Sequence, residues 1–118
     1  MRYMLLIYQD EHVLDDVARE ACYVKSGALA HDLHQAGKFR GASPLQSITT
    51  ATSVQMRGGK RFVTDGPFAE TREQLGGYFM VEADNLDEAI EIASRIPGAE
   101  FGTVEVRPVV ELPGLPGT

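Results

Sequence analysis

Arg2-Tyr3-Met4-Leu5-Leu6-Ile7-Tyr8 is apolar and β-prone almost from end to end. A strand with one wet face alternates polar and apolar residues, whereas a run without alternation suits a central strand covered on both faces. Beyond the polar stretch Gln9 to Asp16, residues Val17, Ala21, Val24 and Ala28 recur at helical spacing. Leu29, Leu33 and Ala36 continue an apolar face to a stop at Gly37. This predicts a long amphipathic helix, with Gly27 weakening its interior. Lys38 to Leu45 reads as a second strand or extended segment, closed at Ser43-Pro44 because proline cannot donate to a ladder. Gly77 to Glu82 contains Tyr78-Phe79-Met80-Val81, another apolar strand. Asn85 with Glu88 resembles a capping box, and Leu86, Ala89, Ile90 and Ala93 supply the inner face of a second helix that Pro97-Gly98 should stop. From Thr103 to Glu111, Val104, Val106 and Val110 are expected on one face of a last strand, with Glu105, Arg107 and Val109 on the other.

Between the two halves, Ser53 to Met56 and Arg61 to Thr64 flank Arg57-Gly58-Gly59-Lys60, a tight-hairpin signal. The order β-α-β, hairpin, β-α-β predicts a ferredoxin-like α+β domain with an inserted β-hairpin. Both helices then cover one face of an antiparallel sheet. The apolar runs Met4 to Ile7 and Tyr78 to Val81 put hydrophobic side chains on the other face too, which invites a second copy and a symmetric homodimer. The expected organisation is one domain over residues 1–111 and a flexible Pro/Gly tail, or an arm ordered by a partner, over 112–118.

Composition bounds the function classes. The chain has 118 residues and a formal net charge of −6, which gives no general field for phosphate backbones or anionic lipid. The expectation is no nucleic-acid and no membrane partner. The single cysteine, Cys22, cannot form an internal disulfide and reads as a buried thiol of a reducing compartment. The N-terminal apolar run is too short for a signal peptide or a membrane span, so a cytoplasmic protein is expected.

The stretch Val63-Thr64-Asp65-Gly66-Pro67-Phe68-Ala69-Glu70-Thr71-Arg72-Glu73-Gln74-Leu75-Gly76-Gly77-Tyr78 strongly resembles the signature of the YCII-related family, in its DGPF branch. The opening strand, Ala36-Gly37, Leu86-Asp87-Glu88-Ala89 and Val104-Glu105-Val106-Arg107-Pro108-Val109 extend the resemblance over nearly the whole chain. It implies a ferredoxin-like dimeric α/β barrel. It implies less about activity: some members are associated with bacterial sigma factors, and a related one removes chloride from a chlorinated hydroxyquinol. The family type also carries a His and Asp pair on its first helix. With the helix-ending glycine laid on Gly37, those positions fall on Lys25 and Gln35, so that pair is absent here.

Asp65 precedes Gly66-Pro67, where the chain must turn. Its carboxylate either accepts backbone N–H bonds to hold that turn or lines a cleft as a proton or ligand acceptor; the resemblance favours the second. Phe68 is a hydrophobic plug under its turn or a ligand platform beside Asp65. Glu70 contacts the site or pairs with Arg72. His31 falls on or beside the apolar side of the first helix, and His31 and His34 share a helix side. Either can be a satisfied structural histidine or the proton-transfer partner of Asp65. Their spacing alone makes no metal site. Asp32 and Lys25 belong to a solvated face, and Arg40 is an exposed strand charge or the counter-charge of an anionic ligand.

The expected protein is a cytoplasmic homodimer whose cleft, between sheet, first helix and partner, binds an unknown small molecule. Acid–base catalysis by Asp65 with His31 or His34 is expected there, and Phe68, Glu70 and Arg40 are expected to bind ligand. The competing expectation is a non-catalytic ligand-sensing or protein-interaction module associated with transcription regulation. No motif calls for a cofactor or a metal.

Overall fold

A computed structural model describes residues 1–116. Six strands and three helices follow one another as β1 (Arg2–Gln9), α1 (Asp16–Gln35), β2 (Phe39–Pro44), β3 (Thr52–Arg57), β4 (Lys60–Asp65), β5 (Gln74–Glu82), α2 (Leu86–Ser94), α3 (Gly98–Phe101) and β6 (Thr103–Pro108). A 3₁₀ turn, Ile48–Thr50, precedes β3. The fold is mixed α+β with antiparallel sheets. Four strands form one sheet in the order β2-β5-β1-β6, compatible with a ferredoxin-like layout. β1 is central, as its unbroken apolar run demands.

Strand alternation divides the sheet's side chains. Tyr3, Leu5, Phe79 and Val81 point inward and pack with Leu29 and Leu33 of α1 and Ala89, Ile92 and Ala93 of α2. Both helices therefore lie on one face. On the other, Met4 stands opposite Met80 and Leu6 opposite Tyr78, all half-buried.

α1 begins at Asp15, whose carboxylate accepts from the N–H of Ala18, and ends in a Schellman motif. There Lys38 N–H donates to Leu33 at 2.8 Å and Gly37 N–H to His34 at 3.0 Å, with Gly37 at φ +74°. Of the expected apolar face of α1, Leu29 and Leu33 are buried and the first half is not. Val17, Ala21, Val24 and Ala28 are exposed, and the inner side is carried by Cys22, Ser26, Leu29, Ala30 and Leu33. The helix has apolar residues on two sides, and burying two leucines removes more apolar surface from water than burying alanines.

α2 closes at Ser94 with its C-cap at Arg95, two residues before the expected Pro97-Gly98 stop, and Pro97 then leads into α3, where its fixed φ suits the start of a helix. Two smaller expectations are corrected. β6 ends at Pro108, so Val110 lies outside the strand and is exposed. Asn85 caps α2 through the N–H of Glu88, but the Glu88 carboxylate accepts from Asp84 N–H rather than closing the box on Asn85.

β3 and β4 form a separate two-stranded sheet, joined at Gly58-Gly59 with both φ values positive, +57° and +77°. Two such residues allow the tight turn whose twist matches the strands. At its base Gly66 N–H donates to Ala51, and Ser53 Oγ donates to the Gly66 carbonyl. Apart from half-buried Ser53, every hairpin residue is exposed. In the tail, Leu112 and Leu115 border a hollow with Arg2, Arg40 and Met80. Gly117 and Thr118, part of the expected flexible tail, lie outside the described residues.

Candidate functional site

Where α1 rides over the end of the sheet it leaves a cavity of about 270 Å³. Tyr23, Gly27 and Ala30, spaced four and three residues apart, form the helical wall with Cys22 and Ser26. Ile7 and Gln9 of β1, Phe39, Ala42, Ser43 and Pro44 of β2 and Gly76 to Phe79 of β5 contribute the floor. The space exists because glycine stands at its boundaries. A Cβ on Gly27 would meet nothing within 4 Å, so any side chain there would project into open space. Gly77 is bare for another reason, since β2 crosses so closely that a Cβ would lie 3.0 Å from the Ser43 carbonyl oxygen. Phe39 and Phe79 meet edge to face, with ring centroids 6.5 Å apart.

No charged side chain borders this cavity. Its polar side chains are the Gln9 amide, the Cys22 thiol and the hydroxyls of Tyr23 and Ser26, placed among aromatic and aliphatic walls, while Ser43 and Tyr78, cross-strand partners with side chains on the outer sheet face, border it with their backbone. Cys22, expected as a buried thiol, is half-buried on this wall.

Gln9, Tyr23 and Gly76 also border a second, more polar cavity of about 280 Å³, together with Glu11, His12 and Arg19. Two of these charges hold the loops in place. The Glu11 carboxylate accepts from Ser47 Oγ at 2.8 Å and from Ile48 N–H at 2.6 Å, capping the 3₁₀ turn. The Arg19 guanidinium donates to the Glu11 carbonyl at 2.7 Å and the Leu14 carbonyl at 3.1 Å, bracing the β1–α1 loop. His12 borders the second cavity. Sequence reading passed over it in favour of the helical histidines, although its place in a loop directly after the central strand was the available signal.

The residues singled out for chemistry lie elsewhere. Asp65 closes β4 opposite Thr52, and its exposed carboxylate takes no hydrogen bond among the described residues. The turn after it is held by Gly66 and Ser53 instead. His31 and His34 are exposed on α1, away from the side that packs on the sheet. Phe68 is 85% exposed and borders a shallow apolar hollow with Tyr8, Ile48 and Leu75. Glu70 does not take Arg72, whose guanidinium sits 3.8 Å from Asp10. Arg40 lies 3.8 Å from Glu82 and donates to the Gly37 and Phe39 carbonyls. None of the six borders either cavity beside α1. Asp32, expected to be solvated, is exposed but accepts from Arg95 at 3.1 Å, tying α1 to the end of α2.

Displaced titration is found at Lys38 and Glu88, 2.7 Å apart and outside both cavities. The hydrogen bond from Lys38, then that from Asp84 N–H, holds the Glu88 carboxyl below its ordinary range; the same bond raises the Lys38 ammonium. Among the described residues no group of three His, Cys, Asp or Glu side chains is arranged to hold a metal, and no helix is long and apolar enough to cross a membrane.

Two comparisons bear on this arrangement. The family model described as YCII-related domain matches residues 1–113. An uncharacterized protein of Rhizobium meliloti is 34% identical over 114 residues, covering 92% of each chain.

Proposed function

Because this chain belongs to the family of YCII-related domains, we propose that it is a small-molecule-binding homodimer that takes its ligand in the cavity between α1 and the sheet. The observation that carries this reading is the cavity wall: three aromatic side chains, several hydrogen-bonding groups and no charge. Small-molecule sites combine mostly apolar walls with a few placed polar groups, and an ion entering an uncharged apolar cavity loses hydration without gaining a counter-charge. The ligand is therefore a neutral, largely apolar molecule, with a flat ring matched to Tyr23, Phe39 and Phe79 and a hydroxyl or carbonyl matched to Gln9 or Ser26.

The finer architecture is a dimeric α/β barrel in which the outer sheet face, with Met4, Leu6, Tyr78 and Met80, is covered by a second copy. Ligand sensing is favoured over acid–base catalysis, because Asp65, His31 and His34 stand off the cavity wall. A connection to transcription regulation rests on the resemblance alone.

The test is two-dimensional NMR with 4-methylphenol and its charged counterpart 4-methylbenzoate. The phenol should shift the amide signals of Gly27, Gly76 and Gly77, the benzoate should not, and Gly27→Leu should abolish the response while keeping the dispersed spectrum of a folded chain. Equal responses to both probes, or shifts confined to residues away from the cavity, would sink the reading.

A further inference from the structure

The hairpin β3–β4 stands away from the core. Val54, Met56, Phe62 and Val63 are each more than half exposed, and an isolated two-stranded hairpin is marginally stable in water. Cross-strand partners share a face, so the pairs Val54–Val63 and Met56–Arg61 put three apolar side chains and a guanidinium on one side. Arg57, Lys60 and Arg61 form no ion pair among the described residues. The hairpin carries these three cations against one carboxylate, Asp65, so it is +2 and leaves −8 on the remainder of a chain of net charge −6.

The chain also bears a surface of complementary character. Val17, Ala21, Val24 and Ala28 run along the outward side of α1, with Val17 81% and Val24 68% exposed. Asp16 and Glu20 flank one edge of the stripe and Lys25 the other, and Glu20 has no ion-pair partner among the described residues, which leaves its edge as the one for a cation. From Val17 to Ala28 the helix rises about 16 Å. On the arm, Val54 and Met56 with their partners Val63 and Arg61 advance about 7 Å, the reach of one turn of the stripe, from Glu20 to Val24. The pair Leu86 and Ile90 on α2, also flanked by acids, has a similar span but is already more covered, at 50% and 47% exposed, so covering it gains less.

We infer that the hairpin is an exchanged arm, laying Val54, Met56, Val63 and Arg61 along the α1 stripe of a second copy, whose own arm returns the contact. Reciprocal exchange satisfies a twofold axis, since each arm meets the other copy's helix and each helix receives the other's arm. Apolar burial supplies the adhesion, and pairing of Arg61 with the partner's Glu20 sets the register. The inference rests on the homodimer of the reading above, but not on its ligand.

The full-length chain is tested by light scattering over a concentration series, with Arg61→Glu, Glu20→Arg and the two combined. Each single reversal should raise the dimer dissociation constant about tenfold or more, and the double reversal should recover most of that loss. In a Cys22→Ser background, Met56→Cys and Val24→Cys chains mixed under oxidation should give a disulfide between copies. A wild-type chain that is monomeric throughout overturns both the dimer and the arm. A dimer indifferent to the reversals, with no disulfide between copies, overturns the arm alone. So does binding to phosphatidylglycerol vesicles that Arg61→Glu abolishes while the dimer persists, since the arm then serves a membrane surface.

Discussion

Gly27 and Gly102 illustrate opposite reasons for the same residue. At Gly27 a Cβ meets open space and φ is unstrained, so glycine there weakens α1 by the entropy of an unrestricted backbone. Gly27→Ala should raise stability by about 1 kcal/mol, read as a later midpoint in urea denaturation with an unchanged slope. At Gly102 a Cβ would lie 2.1 Å from the Tyr8 carbonyl oxygen, where no flexible side chain can give way. Gly102→Ala should lower stability by about 2–3 kcal/mol in the same measurement. An equal effect at the two positions would contradict this assignment. Local sequence shows only that both are glycines. The difference lies in what crosses nearby, which residues distant in the chain decide.

At the scale of elements, capping and turn chemistry were legible in advance because they depend on neighbours. Asn85 before Leu86, Gly37 after Ala36 and Gly58-Gly59 between β-prone runs each do locally what their residue types allow. The packed side of the first half of α1 was not legible, because Val17-Ala21-Val24-Ala28 and the Leu29, Leu33 side offer competing apolar surfaces and only docking on the sheet chooses between them. The same choice removed His31 and His34 from the cleft and brought Tyr23, Gly27 and Ser26 into it. Lys38 and Glu88 join the segment after α1 to α2, and their bond makes that junction sensitive to pH. A carboxyl held below its ordinary value stabilises the fold above that value, and the contribution is lost as pH falls through the lowered one. Lys38, raised, contributes below 10.5 and loses its contribution as pH climbs past that. Thermal melts of Glu88→Gln should therefore show a small loss near neutral pH that begins to fade as the pH falls below 4.5 and is gone once it is under the lowered value. A wild-type and variant difference that is constant across that range would remove the pair as its cause.

For the molecule as a whole, the unresolved demand of the sequence is cover. Met4, Leu6, Tyr78 and Met80 remain half-buried on the outer sheet face, and each would gain roughly 1 kcal/mol from full burial. If a second copy supplies that cover, as proposed above, Met80→Glu should weaken self-association in light scattering without unfolding the chain, because its neighbours already leave it partly wet. A dimer of undiminished affinity would place the interface away from the sheet. By itself, the sequence determined what local chemistry can determine: a central apolar strand, capped helices, a glycine-turned hairpin, and an antiparallel α+β order that the family match over residues 1–113 accompanies. The tertiary structure alone decided which helix side packs and which residues share a cavity. Asp65, Phe68 and Glu70 lie close in sequence and are set on the exposed end of β4 and the loop after it, whereas Gln9, Tyr23, Ser26 and Phe79 are scattered along the chain and meet at one wall. Periodicity records the direction a side chain takes within its own element, and a site is the meeting of several elements whose relative placement only packing determines.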